Sequence, residues 1–245
     1  MTHGRADYLK TNTSNIGYNS QSWGENAARR GSPITYDRRG DVVWYDDCES
    51  AIVRWTITSA GAGSGASTVT TVYPWGDRAL RLRAVFAAGS FCQADKYLPK
   101  TREGILGLEF NAFSQQTAAA PQHWLRWCDG SKTYIGGIKI QANGFVYYWD
   151  STGNWTLLLN ILGFNPVWWL WSNIKFTMDV ENGYYRWLRL DNYFVDMSTL
   201  QLQNVAGVQR PHTDIRLRTD GNVAAQNLYT DNVILTQNEP RALTF

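Results

Sequence analysis

Apolar and polar residues alternate over most of the chain beyond about residue 40. Short runs rich in valine, isoleucine, threonine, tyrosine and tryptophan are separated by glycine, asparagine and aspartate, which is the pattern of β-strands joined by turns. The predicted strands are AIVRWTITS, STVTTVYPW, ALRLRAVF, GILGLEFNAF, HWLRWCDG, YIGGIKIQ, GFVYYWD, WTLLLNI, NIKFTMDV, YYRWLRLDN, DIRLRT and LYTDNVILT. No segment has a sustained helical period, so the pattern predicts an all-β protein.

The alternation also predicts which side of each strand faces the core. In ALRLRAVF, Leu80 and Leu82 are interleaved with Arg81 and Arg83, and YYRWLRL and DIRLRT repeat the pattern. Leucine is therefore expected inside and arginine outside. The glycines in GSKTYIGG, DSTGNW and VENGYY are expected in tight turns that need positive φ. Together these features predict an antiparallel jelly-roll β-sandwich.

The first 40 residues differ from the rest because they are polar, rich in Asn, Ser, Gly and Arg, and without any period. Such a segment buries too little apolar surface to fold alone, so residues 1–40 are predicted to be an extended arm, with a disordered tail as the alternative. Isolated aromatics such as Trp23 are spaced to dock onto another surface. The sandwich is predicted at 41–238 and a short C-terminal tail at 239–245.

Composition narrows the class of protein. A hydrophobic fraction of 44% and a charged fraction of 18% in 245 residues are typical of a globular chain with a substantial core. The formal net charge of +2 predicts no nucleic-acid partner and no membrane-surface partner. We also find no secretory signal at the N-terminus and no apolar run long enough to span a bilayer. Cys48, Cys92 and Cys128 lack zinc-ligand spacing and are expected to be buried free thiols.

The order of several segments resembles a known family. DDCES followed by AIVRW, then GDRALRLRA, LGLEFNAF, the hairpin GFVYYWDSTGNW, the pair WSNIKFTMDVENGYYRWLRLDN and a closing LYTDNVILT are similar to the concanavalin A-like lectin/glucanase jelly roll, in its laminin-G-like branch. The resemblance spans residues 44 to about 237. It implies two curved antiparallel sheets whose first and last strands lie side by side. Because members of this family include lectins, glycosidases, lyases and structural modules, it leaves the function open.

Catalytic residues are not evident in the sequence. The glucanase branch of the family has carboxylates in an E-x-D-x-E spacing, and nothing here reproduces it. Glu109 stands alone, and Asp179 and Glu181 run into a turn, where a solvated strand end is expected. None of the three histidines lies at a spacing typical of a hydrolase, although a lyase-type Tyr/His pair stays open because such residues need not be neighbours in sequence. These observations predict that the protein is not an enzyme.

A calcium site is one hypothesis for the carboxylates near the two chain ends of the sandwich. Asp46, Asp47, Glu49 and Asp231 would converge if the first and last strands pair, and calcium needs several oxygen ligands. The alternative is that Asp231 and Asn232 form a bulge or bond to the backbone near the sheet edge. No other cofactor is expected.

The aromatic residues form the second hypothetical site. The chain has twelve tryptophans, and they cluster in FNPVWWLWSN and GFVYYWD. Trp169 and Trp171 of a strand would face one way and Trp168 the other, so at least one is expected outside the core. With Trp23, these residues are predicted to stack on a sugar or to anchor a subunit interface, and sealing of a broad core is the alternative. The predicted contact residues are Trp23, Tyr147, Trp149, Trp168, Trp169 and Trp171.

Two functions fit these predictions. The first is a non-enzymatic virion structural protein of a bacteriophage, such as a capsid decoration protein, whose arm contacts other virion proteins or copies of itself and whose sandwich contacts surface glycans. The alternative is a carbohydrate-binding, lectin-type module of a secreted or cell-surface protein. The expected location is accordingly the virion, or the extracellular space in the alternative.

Overall fold

Strands form all the regular structure in the described part of the chain. The computed structural model describes residues 40–71, 77–114, 120–141, 144–160, 171–191, 193–207, 209–221 and 225–241. The strands within them are, in chain order, β1 (Asp41–Asp46), β2 (Thr56–Ala60), β3 (Gly65–Val69), β4 (Ala79–Ala84), β5 (Phe91–Pro99), β6 (Ile105–Ser114), β7 (Gln122–Cys128), β8 (Lys132–Ile140), β9 (Phe145–Trp149), β10 (Trp155–Asn160), β11 (Ser172–Asp179), β12 (Tyr184–Leu190), β13 (Tyr193–Asp196), β14 (Gln203–Ala206), β15 (His212–Asp220) and β16 (Gln226–Gln237).

The strands pair into two antiparallel sheets that pack as a sandwich. Sheet A has the order β13-β12-β11-β6-β16-β4-β3, with β1 paired to β16 as well. Sheet B has the order β10-β9-β8-β7-β15-β5-β2, with β14 paired to β8. The predicted all-β sandwich is therefore confirmed. The described residues contain no helix with the length and apolar character needed to cross a membrane.

The core lies between the two sheets and follows the predicted alternation. In β4, Leu80 and Leu82 are buried and Arg83 is exposed. In β15, Ile215 and Leu217 are fully buried between half-buried arginines. Leucine is inside and arginine outside, as predicted, because each strand has one face on the core and one on the other side. The three cysteines are free and buried, also as predicted.

The polar pair in the middle of the last strand forms a β-bulge. β16 pairs with β6 throughout, but the register shifts between Asp231 and Ile234. Asn232 has a φ of 48°, its backbone N–H donates to Asp231 Oδ1 at 2.7 Å, and its Oδ1 accepts from the Tyr45 hydroxyl at 2.8 Å. Before the bulge β16 pairs with β4, and after it β16 pairs with β1. The first and last strands therefore lie side by side, as the resemblance implied.

The turn predictions were only partly right. Gly130, Gly153 and Gly183 have positive φ, as expected for their turns. Gly136 and Gly137, which belong both to the predicted turn GSKTYIGG and to the predicted strand YIGGIKIQ, lie in the middle of β8. Glycine inside a strand often marks a close approach by another group, and both positions turn out to be crowded.

The predicted strands omit four elements, β1, β5, β13 and β14. The described strands begin at Asp41 and end at Gln237. Almost all of the predicted arm at 1–40 lies outside the described residues, as does most of the tail at 239–245. Those two assignments remain predictions.

Candidate functional site

The outer face of sheet B is the surface where polar and aromatic side chains converge. β15 and β7 alternate between buried and half-buried positions, so one side of each strand is in the core and the other is accessible. We define the outer face of sheet B by the side chains on that accessible side of its central strands. They are Gln93, Asp95, Tyr97, Gln122, Trp124, Arg126, Gly137, Lys139, Tyr147, Trp149, Trp155, Leu157, His212, Asp214, Arg216 and Arg218.

Strand register aligns these side chains into rows across the sheet. Asp95 lies opposite Arg216, which lies opposite Trp124, which lies opposite Gly137. The strands β5, β15, β7, β8, β9 and β10 are successive neighbours in sheet B, so at about 4.8 Å per strand the rows are roughly 24 Å long. A surface of this length with mixed polar and aromatic character suits an extended, polar ligand.

Three ion pairs hold the polar half of the outer face. Arg216 Nε is 2.7 Å from Asp95 Oδ1, Arg126 Nη2 is 2.6 Å from Asp214 Oδ1, and Arg218 Nη2 is 2.7 Å from Asp220 Oδ1. The three arginine side chains remain 21–33% exposed. Because each guanidinium is fixed by its carboxylate and still reaches solvent, its remaining N–H groups are oriented donors for a ligand.

Asp214 is the most deeply buried carboxylate of the three. Its side chain has no exposed surface, and burial raises its pKa, while the charge and hydrogen bonds of Arg126 oppose that rise. Arg126 bonds it through both Nε and Nη2. Asp214 therefore positions Arg126 and is not an open carboxylate for hydrolysis.

His212 and Tyr97 lie at the end of the same polar half. His212 Nδ1 is 2.7 Å from the carbonyl oxygen of Arg210, and Nε2 is 3.0 Å from Asp214 Oδ2. A carbonyl only accepts, so Nδ1 carries a proton and both ring nitrogens are engaged. The Tyr97 ring is 5.9 Å from the imidazole and 55% exposed. Tyr97 is thus the exposed ring of this group, and it lies opposite Asp214 across the β5–β15 pair.

Three tryptophans form the aromatic half of the outer face. In this tryptophan cluster, the ring centroids of Trp124 lie 4.5 Å from Trp149 and 4.7 Å from Trp155, and those of Trp149 and Trp155 lie 5.2 Å apart. All three side chains are half-buried. Trp149 Nε1 donates to Gln203 Oε1 at 2.8 Å, which fixes that indole.

Gly137 explains how Trp124 lies flat on the sheet. A Cβ atom on Gly137 would be 2.8 Å from Trp124 Cε3, closer than carbon atoms pack. The indole therefore covers the backbone of β8 at a position where only glycine leaves room. Trp124, Trp155 and Gly137 were not singled out from the sequence, although the alternation in QHWLRW and the paired glycines in YIGGIKIQ were available signals.

The predicted aromatic contact residues are divided by the fold. Tyr147 and Trp149 lie on the outer face of sheet B. Trp171 lies beside the start of β11 in sheet A, half-buried and 5.7 Å from the ring of Phe113. Trp23, Trp168 and Trp169 lie outside the described residues. The predicted set is therefore not one surface among the residues that are described.

The predicted calcium ligands are occupied by local hydrogen bonds. Glu49 accepts from the backbone N–H of Asp77 through both oxygens, at 2.9 and 3.0 Å, and Asp47 Oδ1 accepts from the backbone N–H of Glu49. Asp231 has a pKa raised well above its usual value, mainly by burial. Within the ranges described above, no group of three or more His, Cys, Asp or Glu side chains is placed to hold a metal. The charges of Glu49, Asp47 and Asp46 also raise the pKa of Asp231, so these carboxylates lie near one another, and calcium binding by Asp47, Glu49 and Asp231 stays a prediction.

The remaining carboxylates considered for catalysis are in ion pairs. Glu109 is buried, with Oε2 3.9 Å from Lys175 Nζ. Asp179 is also buried and bonds Arg186 at 2.7 Å, so the expectation of a solvated strand end was wrong for this residue. Glu181 pairs with Arg241 in the turn. None of these forms an acid and base pair of the glucanase kind.

The fold of this chain is also found in solved structures of other proteins. The chain superposes on the crystal structure of endo-β-1,4-glucuronan lyase from the fungus Trichoderma reesei with a TM-score of 0.54, at 14% identity, over 80% of this chain and 96% of that one. It is also similar to a β-glucanase of Bacillus licheniformis, with a TM-score of 0.46 at 12% identity, over 80% of this chain and 98% of that one. The CBM22-1 xylan-binding domain of Paenibacillus barcinonensis Xyn10C has a TM-score of 0.38 at 10% identity, over 82% of this chain and 97% of that one.

No protein-family model and no curated protein matches the chain. The superposition on the lyase supports the predicted jelly-roll β-sandwich as the fold. It also corrects the prediction that the protein is not an enzyme, because an enzyme has this same sandwich. The absence of the E-x-D-x-E spacing was too narrow a criterion, since it tests for one hydrolytic mechanism only. Nothing in the comparisons supports a virion role.

Proposed function

We propose that the outer face of sheet B binds a polysaccharide. The observation that carries the proposal is the union, in one face, of the tryptophan cluster and the arginines held by Asp95, Asp214 and Asp220. Sugars offer apolar ring faces to aromatic side chains and hydroxyl groups to fixed donors and acceptors. The proposal develops the carbohydrate-binding alternative derived from the sequence, and it applies to an extracellular setting.

The physical case rests on the preorganised side chains. Each arginine is oriented by a carboxylate, and Trp149 is oriented by Gln203, so a ligand does not have to order them. Leu157, which is 50% exposed on β10, extends the apolar half beyond Trp155. An elongated chain of sugars can therefore contact both halves along the rows.

A second candidate function is catalysis at the polar half of this face. The specific observation is that Tyr97 is 55% exposed, has its ring 5.9 Å from that of His212 and lies opposite Asp214, which binds Arg126. A tyrosine can move a proton, and a guanidinium can stabilise negative charge that develops on a sugar carboxylate, which together are the requirements of β-elimination. The Tyr97 oxygen would accept the proton from the carbon next to the carboxylate, and the electron pair of that C–H bond would form a C=C bond. The leaving oxygen would depart with the electron pair of its C–O bond and take a proton back from Tyr97, giving an unsaturated sugar.

The binding proposal is tested with Trp155→Ala. We expect the mobility of the wild-type protein in native gels to fall when polysaccharide is present. The variant should bind about tenfold more weakly, which corresponds to a loss of about 1.4 kcal/mol in binding free energy. Trp171→Ala is the matched control, because Trp171 is also half-buried but packs against Phe113 in sheet A. Equal losses in both variants, or no retardation of the wild type by neutral or acidic polysaccharides, would contradict the proposal.

The catalytic candidate has its own readout. Wild-type protein is incubated with uronic-acid polymers, and ultraviolet absorbance reports the unsaturated product of β-elimination. Tyr97→Phe should abolish any such signal while leaving the gel retardation intact. Activity that survives this substitution would exclude Tyr97 as the proton-transferring group.

A further inference from the structure

Among the described residues on the outer face of sheet B, Lys139 is the cation that forms no ion pair with a carboxylate. The three arginines of the face each bond one aspartate, so their charges are locally balanced. Lys139 lies on β8 opposite Gln122 on one side and Tyr147 on the other. Among the described residues, no hydrogen bond or ion pair reaches its Nζ. The central part of the face therefore has one unmatched positive charge.

The amine of Lys139 is held by aromatic rings. Its Nζ lies 4.5 Å from the centroid of Tyr147 and 5.0 Å from that of Trp155. Partial burial lowers the pKa of Lys139, while the charge of Asp220 opposes that change. Aromatic faces attract a cation, but they leave its N–H donors free for other acceptors.

We propose that Lys139 binds an anionic group on the polysaccharide and makes the site selective for acidic polymers. This inference rests on the proposed binding function. The geometry places the ammonium group next to Trp155, so a sugar stacked on that indole would bring a ring substituent to Nζ. A carboxylate or a sulfate would form a charge-assisted hydrogen bond there, whereas a neutral hydroxymethyl group would gain much less. Both anions share this chemistry, and the experiment separates them.

The structural alternative is that Lys139 only covers the aromatic rings with its aliphatic stem. Lysine often does this at a surface while its amine stays in water. The two roles make different predictions for Lys139→Met, which keeps a stem of similar length and removes the charge. They also differ for Lys139→Arg, which keeps the charge. Lys96→Met is a matched control, because Lys96 Nζ also lies over an indole, 5.2 Å from Trp44, but bonds the carbonyl of Arg54.

The test compares three polymers in native affinity gels: polyglucuronate, dextran sulfate and a neutral β-glucan. We expect the wild type and Lys96→Met to bind an acidic polymer more tightly than the neutral one. Lys139→Met should have about tenfold lower affinity for that acidic polymer and an unchanged affinity for the neutral one. Lys139→Arg should retain the preference. If Lys139→Met loses affinity for polyglucuronate alone, the group bound by Lys139 is a carboxylate. If it loses affinity for dextran sulfate alone, the group is a sulfate, and if it loses affinity for both, Lys139 binds either anion.

Failure of the inference can be told apart from failure of the proposed function. If the wild type binds the neutral polymer as tightly as the acidic ones, or if Lys139→Met keeps the acidic preference, the role of Lys139 is overturned and polysaccharide binding stands. If the wild type binds none of the three polymers, both proposals are overturned. Raising the salt concentration from about 50 to about 500 mM shortens the Debye length from roughly 14 to roughly 4 Å. If the affinity of the wild type for the acidic polymer does not weaken over this range, the charge-based role of Lys139 is also overturned.

Discussion

The outer sides of the two sheets differ in how far they are covered. In sheet A, every residue of β6 and of β11 is buried, so both sides of these strands are closed to solvent. In sheet B, β7 and β15 alternate between buried and half-buried positions. The same sandwich thus has one sheet sealed on both sides near its centre and one sheet open on its outer side.

Ion pairs in the sealed sheet A and in the open sheet B have correspondingly different roles. Lys175 of β11 lies 2.8 Å from Glu239 Oε1, and neither side chain has any exposed surface. Arg216 of β15 bonds Asp95 at a similar distance but stays 27% exposed. A sealed pair can only affect folding and stability, whereas an accessible pair can also meet a ligand. The comparison teaches that charged residues in this fold indicate a site only where the sheet is open.

The largest expected effect is in the sealed sheet. Lys175→Met should lower the free energy of unfolding by about 3–5 kcal/mol, because it leaves Glu109 and Glu239 buried without this cation. Urea denaturation measures the change. Lys96→Met, which removes a lysine that is not buried, should cost less than about 1 kcal/mol. Similar losses for the two variants would break the distinction between sealed and open positions.

The adjacent glycines of β8 test the two sides of sheet B. Gly136 faces the core, where a Cβ atom would lie 2.5 Å from Met178 Sδ, so Gly136→Ala should destabilise the protein by about 1–3 kcal/mol. Gly137 faces outward beneath Trp124, and that half-buried indole can move. Gly137→Ala should therefore cost less stability but weaken polysaccharide binding severalfold.

Denaturation and affinity gels, run on both glycine variants, separate these effects. The result that would contradict the assignment of sides is the reverse one, in which Gly136→Ala weakens binding more than it weakens the fold. Tryptophan fluorescence offers an independent check, because only Gly137→Ala should disturb the tryptophan cluster directly.

The smallest effect concerns His123, which lies in the core shared by both sheets. Its ring stacks on Phe110 at 3.9 Å, and neither nitrogen has a hydrogen-bond partner within the described residues. An unsatisfied buried polar group is unfavourable, so His123→Met should stabilise the protein by about 1 kcal/mol at pH 7. Binding at the outer face should not change.

The same residue predicts a pH dependence. Burial lowers the pKa of His123 from 6.5 to about 3, so the unfolded chain takes up a proton at a pH where the folded protein does not. The contribution of His123 to the free energy of unfolding is therefore at its maximum above pH 6.5. It should fall as the pH falls toward 3, with a slope of up to about 1.4 kcal/mol per pH unit. Denaturation between pH 7 and 5 should show this slope in the wild type and not in His123→Met. Identical slopes would mean that His123 is protonated in the fold.

Much of the fold was predictable from local pattern. Alternation identified most strands and the inward leucines, and the polar step at Asp231 and Asn232 was open to interpretation as a bulge. β5 was missed because its sequence, FCQADKYLP, carries polar residues at positions that are buried, such as Gln93 and Asp95. The polar half of the candidate site was missed with it, since β5 supplies both Asp95 and Tyr97.

The sequence by itself determined an all-β sandwich, the side of most predicted strands that meets the core, and the abundance of aromatic residues. Only the tertiary structure decided which outward side chains meet. Asp95 and Arg216 are 121 residues apart in sequence, and the members of the tryptophan cluster come from β7, β9 and β10. The physical reason is that a period of two sets the side of a strand on which a residue lies, while its neighbours on that side depend on strand order and register.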